Sequence, residues 1–366
     1  MQNMTHLDAY DYFLPEELIA KAPASPRDSS RLFVYDTRTD EIRFDIFRNV
    51  GKYLPKNSLL VVNNTKVLPA RLFLKKETGG KIEVLLSLNE LKPGDTNVRG
   101  IVDRKLLVGA RLFFKRNAWL DVVGQDEQYF IFRPSVPMHA LPKLLQKEGH
   151  TPIPPYIKKT PLSERALRHR YQSILAKDGT SVAAPTASLH FTARVLKDLE
   201  ARDIQHSEVT LHVGAGTFAP ITEENFKAKK LFTEYCEISK ASARTINSAL
   251  TRNRPVIPVG TTALRTVESF ATPHHSHTGP TCVHRSVLCG IEHGQKETNI
   301  FIYPPYQFQV ASGLITNFHV PKSSLMLLVD ALLESKKSKR RILDLYDIAI
   351  KEKFRFYSFG DAMLIV

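Results

Sequence analysis

Four stretches hold more polar, glycine and proline residues than a packed core needs, and three of them carry a histidine. An imidazole titrates near neutrality, so each histidine is a candidate for moving a proton. The run Gly313-Leu314-Ile315-Thr316-Asn317-Phe318-His319-Val320-Pro321-Lys322-Ser323-Ser324 sets Thr316, Asn317 and His319 within four positions, just ahead of an apolar helix. A helix start needs one such side chain, and three point to a site. The run Ser181-Val182-Ala183-Ala184-Pro185-Thr186-Ala187-Ser188-Leu189-His190 is built of small residues that let backbone approach a ligand. A helix begins just after it and leaves free N–H groups nearby. The third, His212-Val213-Gly214-Ala215-Gly216-Thr217-Phe218, lacks the later glycine of a dinucleotide fingerprint and reads as a glycine turn after a strand. The fourth, Val62 to Arg71, places Asn63-Asn64-Thr65-Lys66 at the end of an apolar strand, where α/β sites form. A strand cap made by Asn and Thr explains it equally well. Any of these histidines taken alone is ordinarily a structural one.

The elements that position these runs divide the chain. Leu14-Pro15-Glu16-Glu17-Leu18-Ile19-Ala20 reads as a helix start, with Pro early and acids in the first turn. Arg31–Asp36 and Leu59–Asn63 read as strands, the second of the fully buried kind. From 72 to 150 the pattern changes to short strand-like runs such as KIEVLLSL, RLFFKR and QYFIFRP, separated by ETGG, LKPGDT and GQDEQ. That spacing predicts a small antiparallel barrel or sandwich. After Tyr156 the chain turns α/β, with helices expected over 192–199, 263–270, 324–333 and 340–353, and strands over 209–213 and 255–259. The expected architecture is an α/β domain made of residues 1–71 and 151–366, with an inserted antiparallel β-barrel over 72–150. Residues 271–285 read as a loop, and the His274-His275-Ser276-His277 tract inside it has no acidic or cysteine partner at ligand spacing, so no metal is expected. Glu234, Glu237, Arg265 and Glu268 read as surface or capping charges.

Composition sets the class. The 366 residues exceed one ordinary core, and 43% are hydrophobic. Lys and Arg outnumber Asp and Glu by 51 to 37, a net charge of +14. Clusters at 104–116, 158–170 and 336–341 point to a polyanionic partner, without choosing among RNA, DNA and an acidic membrane. No run is long and apolar enough to span a bilayer, and MQNMTHLDAYDYF has no basic segment leading into an apolar one. Cys236, Cys282 and Cys289 are odd in number with no CxxC pair, which fits a reducing cytoplasm.

Taken together, the strings LPEELIA, VVNNTKVLPARL, GGKIEVLL, SVAAPTASLHFT, TLHVGAGTF, GTTALRTVES, GLITNFHVPKSSL and FRFYSFGDAMLI resemble the S-adenosylmethionine:tRNA ribosyltransferase-isomerases of queuosine biosynthesis, in order from Leu14 to Ile365. The resemblance implies an α/β catalytic domain with an inserted β-barrel, S-adenosylmethionine as co-substrate, and tRNA carrying 7-aminomethyl-7-deazaguanine at the wobble position as acceptor. Epoxyqueuosine in tRNA would be the product, with adenine and methionine released by a monomeric cytoplasmic enzyme. The chain departs from the family pattern at Lys229 and Phe232, in a stretch where the family carries histidines and only Glu234 remains, and at Ser188, Ser312 and Pro305. On this resemblance the active site is expected where the NNTK, PTASLHF, LHVGAG and ITNFH runs meet. His319 is the first choice for proton handling, with His212 the rival and His190 a further candidate. Thr186, His190 and Asn317 are expected on the adenosine or the base, with Thr316 beside them. Arg71 and Arg265 suit a carboxylate or phosphate, because a planar guanidinium grips such groups with two bonds. Lys158, Lys159 and Arg168 are expected on the RNA. Two alternatives stand beside this reading: a tRNA-binding protein of the same fold without catalysis, and a methyltransferase, which the missing glycine-rich loop disfavours.

Overall fold

The computed structural model describes residues 7–91, 94–115, 117–177, 179–214, 221–273 and 289–366. Its first strands are β1 (Arg31–Asp36), β2 (Glu41–Ile46) and β3 (Leu59–Asn63). Six barrel strands follow: β4 (Arg71–Lys76), β5 (Lys81–Ser87), β6 (Val98–Val102), β7 (Arg111–Phe113), β8 (Trp119–Asp126) and β9 (Tyr129–Pro134). The chain then gives β10 (Gln205–His212), β11 (Lys230–Ile238), β12 (Val256–Val259), β13 (Ala271–Pro273), β14 (Cys289–Ile291), β15 (Gly294–Ile300), β16 (Leu314–Asn317) and β17 (Ala362–Ile365).

Nine strands form one sheet in the order β15-β11-β10-β3-β12-β16-β17-β1-β2. At its centre β10, β3, β12 and β16 run parallel. Every residue of β3, β12 and β16 is buried, as expected of strands covered on both faces. The second body is a closed barrel, β4-β5-β6-β9-β8-β7. Its strands alternate: Leu72, Leu74, Ile82, Val84, Leu120, Val122, Phe130 and Phe132 point inward and are buried. Gly100 has no room for a side chain, since a Cβ there would lie 2.8 Å from the Leu85 carbonyl oxygen. The barrel is inserted between β3 and β10, which are sequence-distant yet adjacent in the sheet. Its neck is held by Arg71 and His150, whose backbones exchange hydrogen bonds of 3.2 and 2.7 Å.

Among the described residues eight α-helices complete the fold: α1 (Leu141–Glu148), α2 (Glu164–Arg170), α3 (Ala193–Glu200), α4 (Glu223–Ala228), α5 (Lys240–Thr251), α6 (Thr261–Ser269), α7 (Ser324–Ser335) and α8 (Ile342–Lys351). Thr192, Ser239 and Ser323 cap α3, α5 and α7 with their hydroxyls. α7 is apolar nearly all round and buried from Met326 to Leu333. Its one charge there, Asp330, takes the Arg341 guanidinium, the Tyr10 hydroxyl at 2.8 Å and the Ile342 N–H at 3.1 Å. Among the described residues no helix is long and apolar enough to cross a membrane.

Three local expectations are corrected. Leu14–Ala20 makes only a 3-10 turn, Glu16–Leu18. Leu18 and Ala20 pair their backbones with Phe356, so tertiary strand pairing overrides the helical start signal. α8 begins at Ile342 and not Arg340, because Arg341 serves as its N-cap while reaching Asp330. The expected loop at 271–285 opens with a strand, β13, which pairs with β14. The His274–His277 tract lies outside the described residues.

Candidate active site

The parallel strands deliver their C-terminal ends to one place, and a cavity of about 480 Å³ opens there. That is the size of a small-molecule site. β12 runs into Gly260, whose φ of +89° turns the chain directly into α6. A side chain would be strained in that conformation. Gly260, Thr261 and Thr262 therefore line the cavity with the uncapped start of α6. β16 runs into Phe318 and His319, and the loop to Ser324 forms a second wall. The 3-10 turn Thr186–His190 contributes Thr186 and Ala187, preceded by Ala183, Ala184 and Pro185. Pro154, Pro155, Tyr156, Tyr357 and Ser358 close another side, with the Tyr156 hydroxyl 2.6 Å from that of Ser358.

His319 lines this cavity and is 9% exposed. Its Nε2 lies 2.8 Å from the Thr316 hydroxyl. Its backbone is pinned on both sides: the N–H donates to the Tyr346 hydroxyl at 2.7 Å, and the carbonyl accepts from the Tyr12 hydroxyl. Burial pushes its pKa down to about 3, so the ring is neutral at ordinary pH. His190 sits behind the wall rather than on it. Its Nδ1 is 2.8 Å from Ser30 Oγ, and its Nε2 is 3.3 Å from Asn317 Nδ2. Burial lowers its pKa to about 4, with the Asp361 carboxylate working the other way. Asn317 donates also to the Tyr357 carbonyl at 3.3 Å, which leaves its Oδ1 buried with no partner among the described residues.

Arg265 and Glu234 form a buried ion pair in the cavity wall, at 7% and 4% exposure. This corrects their reading as surface charges. Glu268 is buried too, and accepts the backbone N–H groups of Gln309, Val310 and Ala311 at 2.9–3.0 Å. Burial raises the Glu268 pKa against those bonds. The Arg–Glu pair joins α6 to β11 across a long sequence gap, and neither residue alone carries a signal that predicts it.

The expected meeting of four runs happens only in part. The PTASLHF and ITNFH runs share the cavity. The NNTK and LHVG runs meet each other instead: the Thr65 hydroxyl is 2.7 Å from His212 Nδ1, and the imidazole stacks on Tyr235 with ring centroids 6.0 Å apart. Burial lowers the His212 pKa. Only Val213 of the LHVG run lines the cavity, and residues 215–220 lie outside the described ones. Asn63 uses its amide on Leu211 and Thr262, tying β3, β10 and α6 together. Arg71 is held away from the cavity by Glu83 at 2.8 Å and the Ile153 carbonyl at 2.9 Å. Lys158 and Lys159 are exposed, just beyond the cavity-lining Tyr156. Arg168 is engaged by Glu164 at 2.9 Å, the Gln146 carbonyl at 2.6 Å and the Gly149 carbonyl. At the departures from the family pattern, Phe232 lines the cavity beside Leu231, the Ser188 hydroxyl is buried with no partner among the described residues, Ser312 accepts the Val256 N–H at 3.3 Å, and Pro305 is exposed.

Fold and cavity together define a mixed α/β protein with an inserted barrel and a polar-ended pocket at its strand termini. The sequence profile described as queuosine biosynthesis protein matches residues 7–365. An S-adenosylmethionine:tRNA ribosyltransferase-isomerase of Carboxydothermus hydrogenoformans is 41% identical over 361 residues, 98% of this chain and 99% of that one. Proteins of the same description from Moorella thermoacetica and Rubrobacter xylanophilus are each 40% identical, over 98% of this chain and 99% and 97% of theirs. The crystal structure of an S-adenosylmethionine tRNA ribosyltransferase from Thermotoga maritima superposes with a TM-score of 0.51 at 28% identity, covering 98% of this chain and 99% of that one. This chain belongs to the queuosine biosynthesis protein family.

Proposed function

We propose that this chain transfers the ribosyl part of S-adenosylmethionine to tRNA and isomerises it, with 7-aminomethyl-7-deazaguanine at the wobble position as acceptor. The product is epoxyqueuosine in tRNA, with adenine and methionine released. The observation that carries the reading is the cavity itself, with the Arg265–Glu234 pair and the Thr316, Asn317 and His319 side chains on its walls, in a chain aligned end to end with ribosyltransferase-isomerases.

The chemistry suits such a site. The positive sulfur acidifies the neighbouring C–H, so a base can start the reaction without a metal. His319 is assigned this role. It is neutral at pH 7 and therefore has a lone pair to offer, and Thr316 fixes its ring. The sugar C–N bond breaks and adenine takes that electron pair. The aminomethyl nitrogen forms the new C–N bond at that carbon and gives up a proton. The carbanion pair closes the carbon ring onto the same carbon as its bond to the sugar oxygen breaks, and that oxygen forms the epoxide C–O bond as the C–S electron pair leaves with methionine. Charge developing on the leaving groups is stabilised by donors already in place, among them the N–H groups at the start of α6, which no N-cap side chain takes. Thr186 and Asn317 are assigned to the adenosine or the base, and Asn317 Oδ1 is an acceptor awaiting a donor. Lys158 and Lys159, exposed just beyond the cavity-lining Tyr156, are assigned to the RNA. The reading includes a cytoplasmic location and a monomeric state.

A second reading, a tRNA-binding protein without catalysis, is favoured by one observation: Leu231 and Phe232 give the cavity apolar walls in the stretch where the family carries histidines. Incubation of the protein with S-adenosylmethionine and substrate tRNA decides. Adenine and methionine are the expected products. S-adenosylhomocysteine would mark a methyltransferase, and tRNA binding without turnover the inactive protein.

A further inference from the structure

In the buried Arg265–Glu234 pair the guanidinium is only partly used by the described residues. Nη1 of Arg265 meets Glu234, while Nε and Nη2 have no hydrogen-bond partner among the described residues. A buried donor left unmade costs about 1–3 kcal/mol, and more when it belongs to a charged group. Native proteins keep few of them. Packing does not call for an arginine here, since Ala263, Leu264 and Val267 of the same helix turn are buried and apolar. The Nε and Nη2 edge of a guanidinium is one that takes a carboxylate with two parallel bonds, and Arg265 lines the cavity.

Glu234 decides which anion fits. A phosphate brought against Arg265 would sit beside a buried carboxylate, where repulsion is little screened. A zwitterion suits both partners. Its carboxylate meets the guanidinium, its ammonium meets Glu234, and that end of the ligand adds no net charge to the pair. Carboxylate oxygens accept more than one hydrogen bond, so Glu234, which also takes the Gly214 N–H at 3.4 Å, can hold Arg265 and an ammonium together.

We propose that Arg265 and Glu234 clamp the α-amino-acid end of the co-substrate, Arg265 gripping the α-carboxylate through Nε and Nη2 and Glu234 receiving the α-ammonium. This rests on reading the cavity as the S-adenosylmethionine site. The clamp holds the part that departs as methionine, and it leaves Thr316, Asn317 and His319 to the adenosyl group and the RNA base.

The test compares S-adenosylmethionine with its decarboxylated analogue, with substrate tRNA saturating and adenine release as the signal. Wild type is expected to lose at least ~100-fold in kcat/KM with the analogue, because a site built to hydrogen-bond a group rejects a ligand lacking it. Arg265→Gln is expected to use the two compounds within about threefold of each other, because it no longer has the guanidinium that tells them apart. Wild type that uses both equally overturns the clamp, and so does Arg265→Gln that still discriminates. If Arg265→Gln does not fold, the double variant Arg265→Gln/Glu234→Gln removes both charges and gives the same comparison. If wild type releases no adenine, the reading of the site fails while the clamp is still testable by calorimetry. Methionine that binds where 3-methylthiopropylamine does not supports the clamp, and failure of both to bind overturns it.

Discussion

The barrel and the cavity sit in one chain and treat polar atoms in opposite ways. In the barrel, inward positions are Leu, Ile, Val and Phe, strand after strand, and the charged residues point out. Its buried side-chain atoms without a partner among the described residues are on Ser87, Asn89 and Arg71, and Asn89 lies against Gly214 of the α/β body. Around the cavity the buried atoms unpartnered among the described residues belong to Arg265, Asn317 and Tyr171, and two buried histidines are held neutral. The barrel's inward strand positions follow the rules that make a sequence fold, while the cavity leaves a guanidinium and an amide short of partners where a ligand can supply them. Substitutions in the two regions should therefore separate stability from turnover.

The largest separation is expected at His319. Among the described residues its side chain bonds only to Thr316, while its backbone is held by Tyr12 and Tyr346. His319→Ala should lower adenine release by about 10³-fold, within the range for removal of an acid–base group, with circular dichroism and tRNA affinity unchanged. Adenine release near the wild-type rate would remove His319 from the mechanism. The mirror experiment is Leu120→Ala in the barrel core. It should cost about 2–5 kcal/mol in urea unfolding and leave the KM for S-adenosylmethionine as it was. A raised KM would show that the barrel shapes the cavity directly.

Acid sharpens the comparison further. Folded His190 and His319 titrate near 4 and 3, below the ordinary 6.5. Between those values the unfolded chain binds protons that the folded one refuses. Stability should accordingly fall as pH drops from about 6.5 towards 4, by up to ~1.4 kcal/mol per unit for each histidine. Thermal melts of His319→Gln should show a shallower fall, and an unchanged one would contradict the burial assigned to this ring. The smallest effect is expected on the surface. Lys158→Gln/Lys159→Gln should lower the slope of log affinity for tRNA against log salt by roughly 0.7–0.9 for each phosphate no longer neutralised. Arg168→Gln should leave that slope alone and reduce stability, because its guanidinium already serves Glu164 and two carbonyls.

Much of the frame is legible in the residues. β1 and β3 fall where apolar runs end on Asp36 and Asn63, α3 starts at its Thr192 cap, and the barrel strands announce themselves by short runs set between turn segments. The site is legible only where its residues are neighbours in sequence, as with Thr316, Asn317 and His319. The resemblance brings Arg265 to the site, but its pairing with Glu234 escapes a sequence reading because a charge looks exposed until tertiary structure buries it against another. The NNTK run misleads for the converse reason: Asn63 has the look of a ligand contact, but its amide is used on backbone and Thr262. No local pattern says that Arg71 will turn to Glu83.

The neck at Arg71 and His150 bears on how the chain gets from β3 to β10. Those strands must find each other across the whole insertion, and closing a loop becomes harder as it lengthens. Once the barrel has formed, the two backbone bonds at its neck take it out of the loop and roughly halve the chain left to close, a saving of about 0.6 kcal/mol in entropy. Gly149 makes so tight a neck possible, since a Cβ there would lie 1.8 Å from the Pro69 carbonyl oxygen. A barrel that folds first would thus act as a clasp, drawing the two halves of the sheet within reach before the central seam is laid down.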